Sequence, residues 1–487
     1  MRSLRWLAPL TTLALLLLSV TTVSADHSVG VNKFSYTLDW DGRRVPAPLG
    51  YIYQDDIDGI NYPTGAFKDP ADIFLDKQQR LYVVDRGNSR VLVFGPDKSL
   101  LMEVGTQGEG KLNQPEGIFV NEQGEMFVAD TGNSRIVKFS PSGQYLREFG
   151  KPRSNLLEEE ANYKPSKLVL DKRGYIYVIE SGGDYRGILI LDTNGIFRGF
   201  FAANPVGFSL QRWFARIFAT EQQKKQLSKV RPTHHSNLLI DDRGFIYTTS
   251  PFANTDQIKK LTSIGTNTYK SRQPGGRFGE VERRGGQVIQ PRFIDVAVDE
   301  YGIVSALDFN SGKVYQYDPD GNLLNVFGGK AWQRGLFGYP ASIAAGPNGV
   351  LYILDAERNN VQIFRPTEFA RLVQRASVLH YDGRYAEAAE LWREVLRLDT
   401  NYILAHYGIG KAYFKEERWD EALREFYLAH NKVEYSRAFA MARHQYAREN
   451  FGLVMLYFGL VLAGLYGLYR VVRWLLARPL PQYIYGG

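Results

Sequence analysis

The sequence predicts an all-β six-bladed propeller, followed by an α-helical segment and one transmembrane helix. Three observations support this. A motif of strands and turns recurs six times before residue 365, and a second repeat with a shift of 34 residues follows it. Near the C-terminus, 19 residues pass without a charge. The first repeat is typical of β-sheet blades, the second of paired helices and the uncharged run of a membrane span.

The first repeat is clearest at residues 70–94 and 115–139. Placing Asp85 on Asp130 also superposes Asn88 on Asn133. The prolines that lead the six copies lie 45, 50, 67, 59 and 49 residues apart, which is the range of a four-stranded blade. One blade cannot bury its apolar surface alone, so six are expected to stack in a closed ring. The weaker copies end at Glu180, Ser250, Asp308 and Asp355.

The motif of the first repeat resembles the NHL repeat over residues 60–365. A hydrophobic strand leads to a turn, a second strand ends on an acid, and a third strand ends on an aromatic residue. The resemblance implies a six-bladed propeller but no single activity, because the family includes protein-binding and RNA-binding modules, sensors and a few lyases. The residues that carry it best are Asp76, Leu81, Tyr82, Asp85, Asn88, Arg90 and Phe94.

Ring closure is expected to use a strand from the N-terminus. Blades one, two and five each have a fourth strand that ends on a glycine, at Gly105, Gly150 and Gly328, whereas the sixth copy lacks one. Residues 34–40 (FSYTLDW) alternate as a spare strand upstream of the first repeat. We therefore expect residues 34–40 to be the outer strand of the last blade.

The second repeat resembles the tetratricopeptide repeat. Residues 384–388 align with 418–422, and small and aromatic residues fall on the positions where that family packs two helices. The resemblance implies TPR-like helices over residues 366–450, leaning on the propeller or on a partner; a plain helical stalk is the alternative. The matching residues are Ala376, Leu379, Ala388 and Trp392, then Gly410, Tyr413, Ala422, Phe426 and Ala429.

The two ends of the chain predict its location. Residues 1–25 have the basic start, apolar run and small-residue end of a signal peptide. Residues 451–476 are expected to span the membrane, and residues 477–487 to form a short cytoplasmic tail. These segments predict a single-pass protein of the cell membrane, with the propeller (26–365) and helices on the extracytoplasmic side. Whether the signal peptide is cleaved stays open.

Composition excludes several kinds of site. The 487 residues contain no cysteine, so disulfides, thiolate metal sites and cysteine nucleophiles are excluded. The formal charge of +7 is spread along the chain without a basic stripe, and no nucleic acid is expected as a partner. The sequence also lacks the common hydrolase, zinc-protease and nucleotide-binding motifs.

A candidate ligand site lies at the mouth of the propeller channel, where the six inner strands begin. Two carboxylates and an amide that converge there can hold a divalent cation, although a lysine among them opposes this and the carboxylates can equally cap backbone amides. No other cofactor is expected, and the metal is left unknown. The positions are Asp72, Gly117, Lys167, Asn237, Asp295 and Ser342, with Glu116 and His235 beside them.

The acids that end the second strand of each blade invite a different interpretation. They recur together with turn residues, which favours short carboxylates that accept hydrogen bonds from backbone N–H groups of a turn. These acids are Asp85, Asp130, Glu180, Asp308 and Asp355.

Two apolar or small-residue surfaces are candidate docking sites. The insertion at 204–230 places Trp213, Phe214, Ile217 and Phe218 at helical spacing. That stripe can pack on the propeller, dock a partner protein or lie in the outer membrane leaflet. In the membrane span, Gly459, Ala463 and Gly467 form a stripe on which another transmembrane helix can pack.

These features favour a membrane-anchored protein-binding or assembly module over an enzyme. The architecture resembles bacterial NHL and tetratricopeptide surface proteins, some encoded beside ABC-type sugar transporters. That resemblance implies an accessory role in a membrane transporter complex, with membrane proteins and the lipid bilayer as partners. The alternatives are a metal-dependent propeller hydrolase or lyase, with its site at the channel mouth, and a surface sensor that signals through a partner.

Overall fold

A computed structural model describes residues 34–39, 41–157, 162–182, 187–202 and 234–477. The described chain begins with a hairpin of β1 (Phe34–Leu38) and β2 (Arg44–Pro48), and β3 (Tyr51–Ile57) follows it. The repeats then fold into six antiparallel sheets, one for each copy, which confirms the predicted six-bladed propeller.

Blades one to three each contain four antiparallel strands, in chain order from the inner to the outer edge. Their strands are β4 (Asp72–Leu75), β5 (Leu81–Asp85), β6 (Arg90–Phe94) and β7 (Leu100–Val104); β8 (Gly117–Val120), β9 (Met126–Asp130), β10 (Arg135–Phe139) and β11 (Tyr145–Phe149); and β12 (Pro165–Leu170), β13 (Ile176–Glu180), β14 (Ile188–Leu191) and β15 (Phe197–Phe201).

Blades four to six depart from that pattern. Blade four has three described strands, and a small hairpin separates it from blade five. The strands are β16 (Asn237–Ile240), β17 (Ile246–Thr249) and β18 (Ile258–Leu261); the hairpin β19 (Glu282–Arg284) and β20 (Gln287–Ile289); β21 (Phe293–Val298), β22 (Val304–Asp308), β23 (Lys313–Tyr317) and β24 (Leu323–Gly328); and β25 (Pro340–Ala345), β26 (Leu351–Asp355) and β27 (Asn360–Pro366).

The six inner strands surround one axis. Each contacts the next in the order β4, β8, β12, β16, β21, β25 and back to β4. The cores lie between blades, since one cluster joins Tyr82 and Val84 of blade one to Ile118 and Val128 of blade two. Each blade therefore buries its faces mainly against its neighbours, as the repeat pattern predicts.

The strand that closes the ring is β3, so the expectation for residues 34–40 was wrong. β3 pairs antiparallel with β27 and becomes the fourth strand of blade six. β1 instead lies beside β24 of blade five, with Tyr36 opposite Val326. Tyr36 and Leu38 of β1 are partly buried against the core of blade five, so the apolar alternation marks a strand but does not show which blade it joins.

The acids that end the second strands tie each blade to the segment that enters it. Asp85 accepts hydrogen bonds from the Lys68 backbone N–H (2.7 Å), Asn88 (2.8 Å) and Arg90 (2.7 Å). Asp130 repeats the same three contacts in blade two. Asp355 accepts two entry-segment N–H groups, those of Gly338 and Tyr339. These carboxylates accept hydrogen bonds, as predicted, but the backbone N–H groups of Lys68, Asn113, Gly338 and Tyr339 belong to the entry segments rather than to the turns.

Six helices follow the propeller, and the first four pair as tetratricopeptide helices do. Trp392 packs on Gly408, where an added Cβ would lie 2.2 Å from the indole nitrogen. Phe426 packs on Gly410 in the same way. The small residues are therefore required by close aromatic neighbours. The helices are α1 (Glu368–Tyr381), α2 (Tyr385–Leu398), α3 (Ile403–Lys415), α4 (Trp419–Leu428), α5 (Lys432–Glu449) and α6 (Phe451–Leu476).

The helical repeats lean on the propeller. Thr367, the N-cap of α1, donates its hydroxyl to the carbonyl of Leu49 at 2.7 Å. The Tyr51 hydroxyl accepts from Gln316 of blade five and Gln374 of α1, at 2.9 and 3.0 Å. All three of these side chains are largely buried, so propeller and helices share a single interface.

α6 is the one helix, among the described residues, that is long and apolar enough to cross a membrane. Only Asn450 separates it from α5, and none of its side chains is buried against the rest of the chain. The predicted signal peptide (1–25) lies outside the described residues, as do residues 478–487 of the predicted tail.

Replacing Gly117 with Ala tests how closely the blades approach. A Cβ at Gly117 would lie 2.1 Å from the Ser166 carbonyl oxygen of blade three, and a backbone atom cannot swing aside. We expect Gly117→Ala to lower the free energy of unfolding by about 2 kcal/mol or more. Gly150→Ala, where a Cβ would meet nothing within 4 Å, is the control and should change it little. Urea unfolding measures both; equal effects would contradict the close approach.

Candidate functional site

The candidate site lies at one end of a central cavity of about 480 Å³. This end, where the inner strands begin, is called the entry face. Of the six positions expected at the channel mouth, five line the cavity and the sixth is Gly117, which has no side chain. The five lining residues are Asp72, Lys167, Asn237, Asp295 and Ser342.

Four of these side chains form one hydrogen-bonded cluster across the axis. The Lys167 ammonium pairs with Oδ1 of Asp72. The Ser342 hydroxyl lies 2.9 Å from the same Asp72 oxygen and 2.6 Å from Oδ2 of Asp295. The cluster therefore links blades one, three, five and six; we call it the axial cluster.

The same side chains also bond the backbone of the next blade. Asp72 accepts the N–H of Ile118 at 3.1 Å, and Asp295 accepts the N–H of Ile343 at 2.8 Å. Asn237 donates to the carbonyl of Val296 at 3.3 Å. Each contact runs from one inner strand to the following one. These polar residues therefore hold adjacent blades together, where apolar side chains would leave the inner-strand N–H and C=O groups without partners.

The hydrogen bonds of Ser342 depend on the protonation of the axial cluster. Ser342 has one hydroxyl hydrogen and lies within bonding distance of two carboxyl groups. Both contacts are hydrogen bonds only when one carboxyl is protonated. Burial raises the pKa of Asp295 to about 6, Lys167 opposes the shift and Asp72 adds to it. Asp295 therefore takes up a proton as the pH falls through about 6.

Lys167 keeps its charge inside the cavity. Burial alone lowers the pKa of its ammonium, but the carboxylates of Asp72 and Asp295 outweigh burial, and the net pKa is raised. An ammonium ion thus neutralises Asp72 from within the chain.

A divalent cation does not fit this donor set. Lys167 lies where a cation would approach Asp72, and the carboxylate oxygens already accept hydrogen bonds from the chain. The described residues contain no group of three or more His, Asp or Glu that could hold a metal ion. The carboxylates of the axial cluster use their oxygens for hydrogen bonds and an ion pair between blades.

Glu116 and His235 lie apart from the axial cluster. Glu116 is 3.9 Å from Arg86, and burial raises the pKa of its carboxyl. His235 is buried, with Nε2 2.9 Å from the Ala202 carbonyl and Nδ1 3.2 Å from the Thr248 hydroxyl. Burial lowers the pKa of His235 to about 4, so the ring is neutral and donates from Nε2. Neither side chain lines the cavity.

Helix α1 lies against the opposite opening of the channel. The cavity wall is apolar between its two ends, and the far end is lined by the inner-strand turns and by Val378, Tyr381 and Asp382 of α1. We call this end the helix-side face. Sequence reasoning missed this cover, because no local pattern shows where a following helix docks.

A larger cleft of about 960 Å³ lies between the propeller and the helical repeats. The propeller contributes Arg272 and Asp320, among others, and the helices contribute Tyr407, Lys411 and Tyr427. The sequence predicted helices that lean on the propeller or on a partner, but it did not predict a cleft with one wall from each repeat.

The described residues include one of the two predicted docking surfaces. The stripe of Trp213, Phe214, Ile217 and Phe218 lies outside the described residues. Gly459, Ala463 and Gly467 lie on α6, and a Cβ at either glycine would meet nothing within 4 Å. That stripe is therefore uncovered by the described part of the chain.

Asp295→Asn tests the assigned proton. Because the pKa of Asp295 is raised in the folded chain, the folded state binds the proton more tightly than the unfolded state, and stability falls as pH rises from about 4 to above 6. Asparagine stays neutral, so we expect the variant to gain about 1–3 kcal/mol on the wild type between pH 4 and pH 8. Urea unfolding across this range measures the difference.

The control for that experiment is Asp242→Asn, which removes a carboxylate whose side chain is mostly exposed. A wild-type-minus-variant difference for Asp295→Asn that stays constant with pH would contradict the assignment.

Comparisons with known proteins identify the repeats. The NHL repeat model matches residues 67–94, 112–139 and 337–364, and a TPR repeat model matches residues 376–416. No curated protein sequence matches the chain. The repeat matches thus coincide with blades one, two and six and with α1 to α3.

Solved propellers are similar at low identity. A streptogramin B lyase is 10% identical over 65% of this chain and 98% of its own, with a TM-score of 0.42. Virginiamycin B lyase from Staphylococcus aureus is 11% identical over 65% and 99%, with a TM-score of 0.40. A gluconolactonase from Xanthomonas campestris is 13% identical over 69% and 96%, also at 0.40. At these values the likenesses carry no argument about activity. The chain carries NHL repeats in a six-bladed propeller and a TPR repeat behind it.

Proposed function

We propose that the chain is a membrane-anchored protein-binding module that assembles a membrane complex. The observation that supports this most is the cleft of about 960 Å³ between propeller and helices. It opens next to α5, which leads through one residue into the candidate membrane span. A segment of a neighbouring membrane protein can reach such a cleft.

The lining of the cleft suits a peptide. Tyr427 and Val433 are 71% and 73% exposed and offer apolar contact. Lys411 and Glu434, 2.8 Å apart, and Arg272 at the propeller wall add charges of both signs. Exposed aromatic surface with a polar border is the usual composition of a protein interface. An extended or helical segment would bury these side chains against both walls.

The contacts of the axial cluster support a binding role for the chain rather than a catalytic one. The axial cluster satisfies its own hydrogen bonds, and α1 lies against the far opening. A hydrolase or lyase at this point would need a group free to transfer a proton or hold a metal. Lys167 and the two aspartates are instead engaged with one another and with the neighbouring blades. No specific observation favours the enzyme alternative.

In this proposal α6 anchors the chain by a single span, the propeller and helices lie on the extracytoplasmic side, and the tail is cytoplasmic. α5 has 18 residues, so it reaches about 27 Å from the membrane span. The cleft would therefore lie within reach of the bilayer surface. A subunit of a membrane transporter is the partner that the resemblance to NHL and TPR surface proteins supports, and the chain would act as its accessory.

A double variant of the cleft tests the proposal. We expect Tyr427→Ala with Val433→Ser to remove the exposed apolar contact and to reduce recovery of a specific membrane partner about tenfold. The measurement is crosslinking in native membranes, purification through a C-terminal tag and quantitative mass spectrometry. Ile60→Ser, at a 65% exposed side chain on the propeller, is the matched control. Recovery that falls equally in both variants, or in neither, would count against the cleft.

The small-residue stripe on α6 gives an independent test. Leu at Gly459, Ala463 and Gly467 should keep a neighbouring transmembrane helix from approaching closely, and the same purification should lose membrane-embedded subunits. Val461→Leu adds bulk at a residue two positions from both Gly459 and Ala463, on the other side of the helix, and serves as the control. Unchanged recovery in the triple variant would show that the stripe is not an interface.

A further inference from the structure

A run of alternating rings and cations crosses the entry face of blades four to six. The Arg292 guanidinium lies 4.6 Å from the Phe252 ring centroid and 5.0 Å from that of Phe309. The Lys330 ammonium lies 4.5 Å from the same Phe309 ring. Phe252, Arg292, Phe309 and Lys330 therefore form one contiguous set, which we call the cation ladder.

The ladder lies at the other end of the strands from the helical repeats. Arg292 directly precedes β21, and Phe309 directly follows β22. The helices pack instead on Ile303, in the turn between those two strands, and on Leu324 near the start of β24. The ladder is thus separate from the cleft and is not covered by α1 to α5 in the described chain.

Arg292 differs from the other arginines on this face. Arg86 makes two hydrogen bonds to Asp69, at 3.0 and 2.8 Å, and Arg358 donates to the Gln333 and Leu336 carbonyls. The Arg292 side chain has no hydrogen-bond acceptor or ion-pair partner within the described residues, and its Nε is buried without one. Its position is held by ring contacts rather than by an acid.

Guanidinium stacking leaves a defined part of Arg292 for a ligand. The Phe252 and Phe309 rings lie beside it and Nε is buried, so the two Nη groups are the donors left for a ligand. The paired N–H groups of a guanidinium edge match the two oxygens of a carboxylate. Water is excluded on the ring sides, which strengthens a charge-assisted hydrogen bond there.

The surroundings add a second cation and apolar contact. Lys330 is exposed and makes no ion pair in the described chain, and it shares the Phe309 ring with Arg292. Tyr339 meets Phe309 edge-on at 4.7 Å and is 49% exposed, while Phe252 is 53% exposed. Two carboxylates of one short segment can reach both cations, and the rings can bury the methylene groups between them.

We propose that the cation ladder binds a carboxylate-rich peptide segment of a partner protein. Arg292 takes one carboxylate through the edge of its guanidinium, Lys330 takes a second as a point charge, and Phe252 and Tyr339 contact the aliphatic stems. The proposal rests on the proposed function for its choice of a protein as the ligand. The choice of an anionic ligand comes from the ladder itself, because Arg292 and Lys330 have no acidic partner within the described residues.

Fluorescence anisotropy with the full-length chain in detergent tests the proposal. The probes are fluorescein-labelled hexaglutamate and hexalysine peptides. We expect hexaglutamate to bind in a salt-sensitive manner and hexalysine not to bind. Arg292→Gln should weaken hexaglutamate binding about tenfold or more, and Lys330→Gln by a smaller factor. Arg292→Lys keeps the charge but loses the planar edge, so it should recover only part of the affinity.

The matched control is Arg147→Gln, which removes an exposed arginine stacked at 4.3 Å on Phe149 of blade two. It should leave binding unchanged. The proposal is overturned if Arg147→Gln weakens binding as much as Arg292→Gln, or if neither Arg292→Gln nor Lys330→Gln weakens it. Lys330 is exposed, so its variant keeps the test valid if Arg292→Gln fails to fold.

Two further outcomes separate this proposal from the proposed function. If unlabelled polygalacturonate displaces the probe at a lower carboxylate concentration than hexaglutamate, the ligand is an acidic glycan and the peptide proposal fails. If hexaglutamate does not bind while the cleft variants lose a membrane partner, the assembly role stands and the ladder proposal falls. If hexaglutamate does not bind and the cleft variants keep their membrane partner, both the ladder proposal and the assembly role are overturned.

Discussion

The structure depends on the pairing of β3 with β27, which joins the start of the described chain to the end of its last blade. The same few residues also seat the helices, because Leu49 accepts the N-cap hydroxyl of α1 and Tyr51 bonds Gln374 of that helix. β3 therefore takes part in both ring closure and helix docking, and the helices gain a second contact where the Tyr402 hydroxyl donates to the Leu324 carbonyl at 2.7 Å.

The polar side chains at the centre of the ring are engaged with one another, unlike those of the two candidate binding surfaces. The polar side chains that converge on the axis bond the next inner strand and one another, and Lys167 supplies the positive charge that Asp72 needs. Such a cluster holds adjacent blades together. Two surfaces have side chains that a partner could contact. The cleft has walls from two different repeats, and in the cation ladder Arg292 lies beside two rings but has no acid as partner in the described chain.

Much of the fold could be predicted because each repeat carries its own turn chemistry. Asp85, Asn88 and Arg90 bond one another within a few residues, so their spacing is visible in the sequence. The choice of closing strand could not be predicted, since β1 and β3 both precede the first blade and only their distant partners, β24 and β27, distinguish them. The pairing of Lys167 with Asp72 and the assembly of the cation ladder depend on residues from different blades, whose distances the ring alone determines.

The closing contact also sets an order of events during synthesis. Asn360 and Asp56 are hydrogen-bonded across 304 residues, so blade six cannot acquire its outer strand until almost the whole propeller has been made. At synthesis rates of roughly 5–20 residues per second, β3 waits on the order of 15–60 s without its partner. During that time an unpaired strand edge is available to other chains, and long-range pairing is slow. A chaperone that shields nascent β-strands would therefore raise the yield of this protein more than that of one whose termini are not paired.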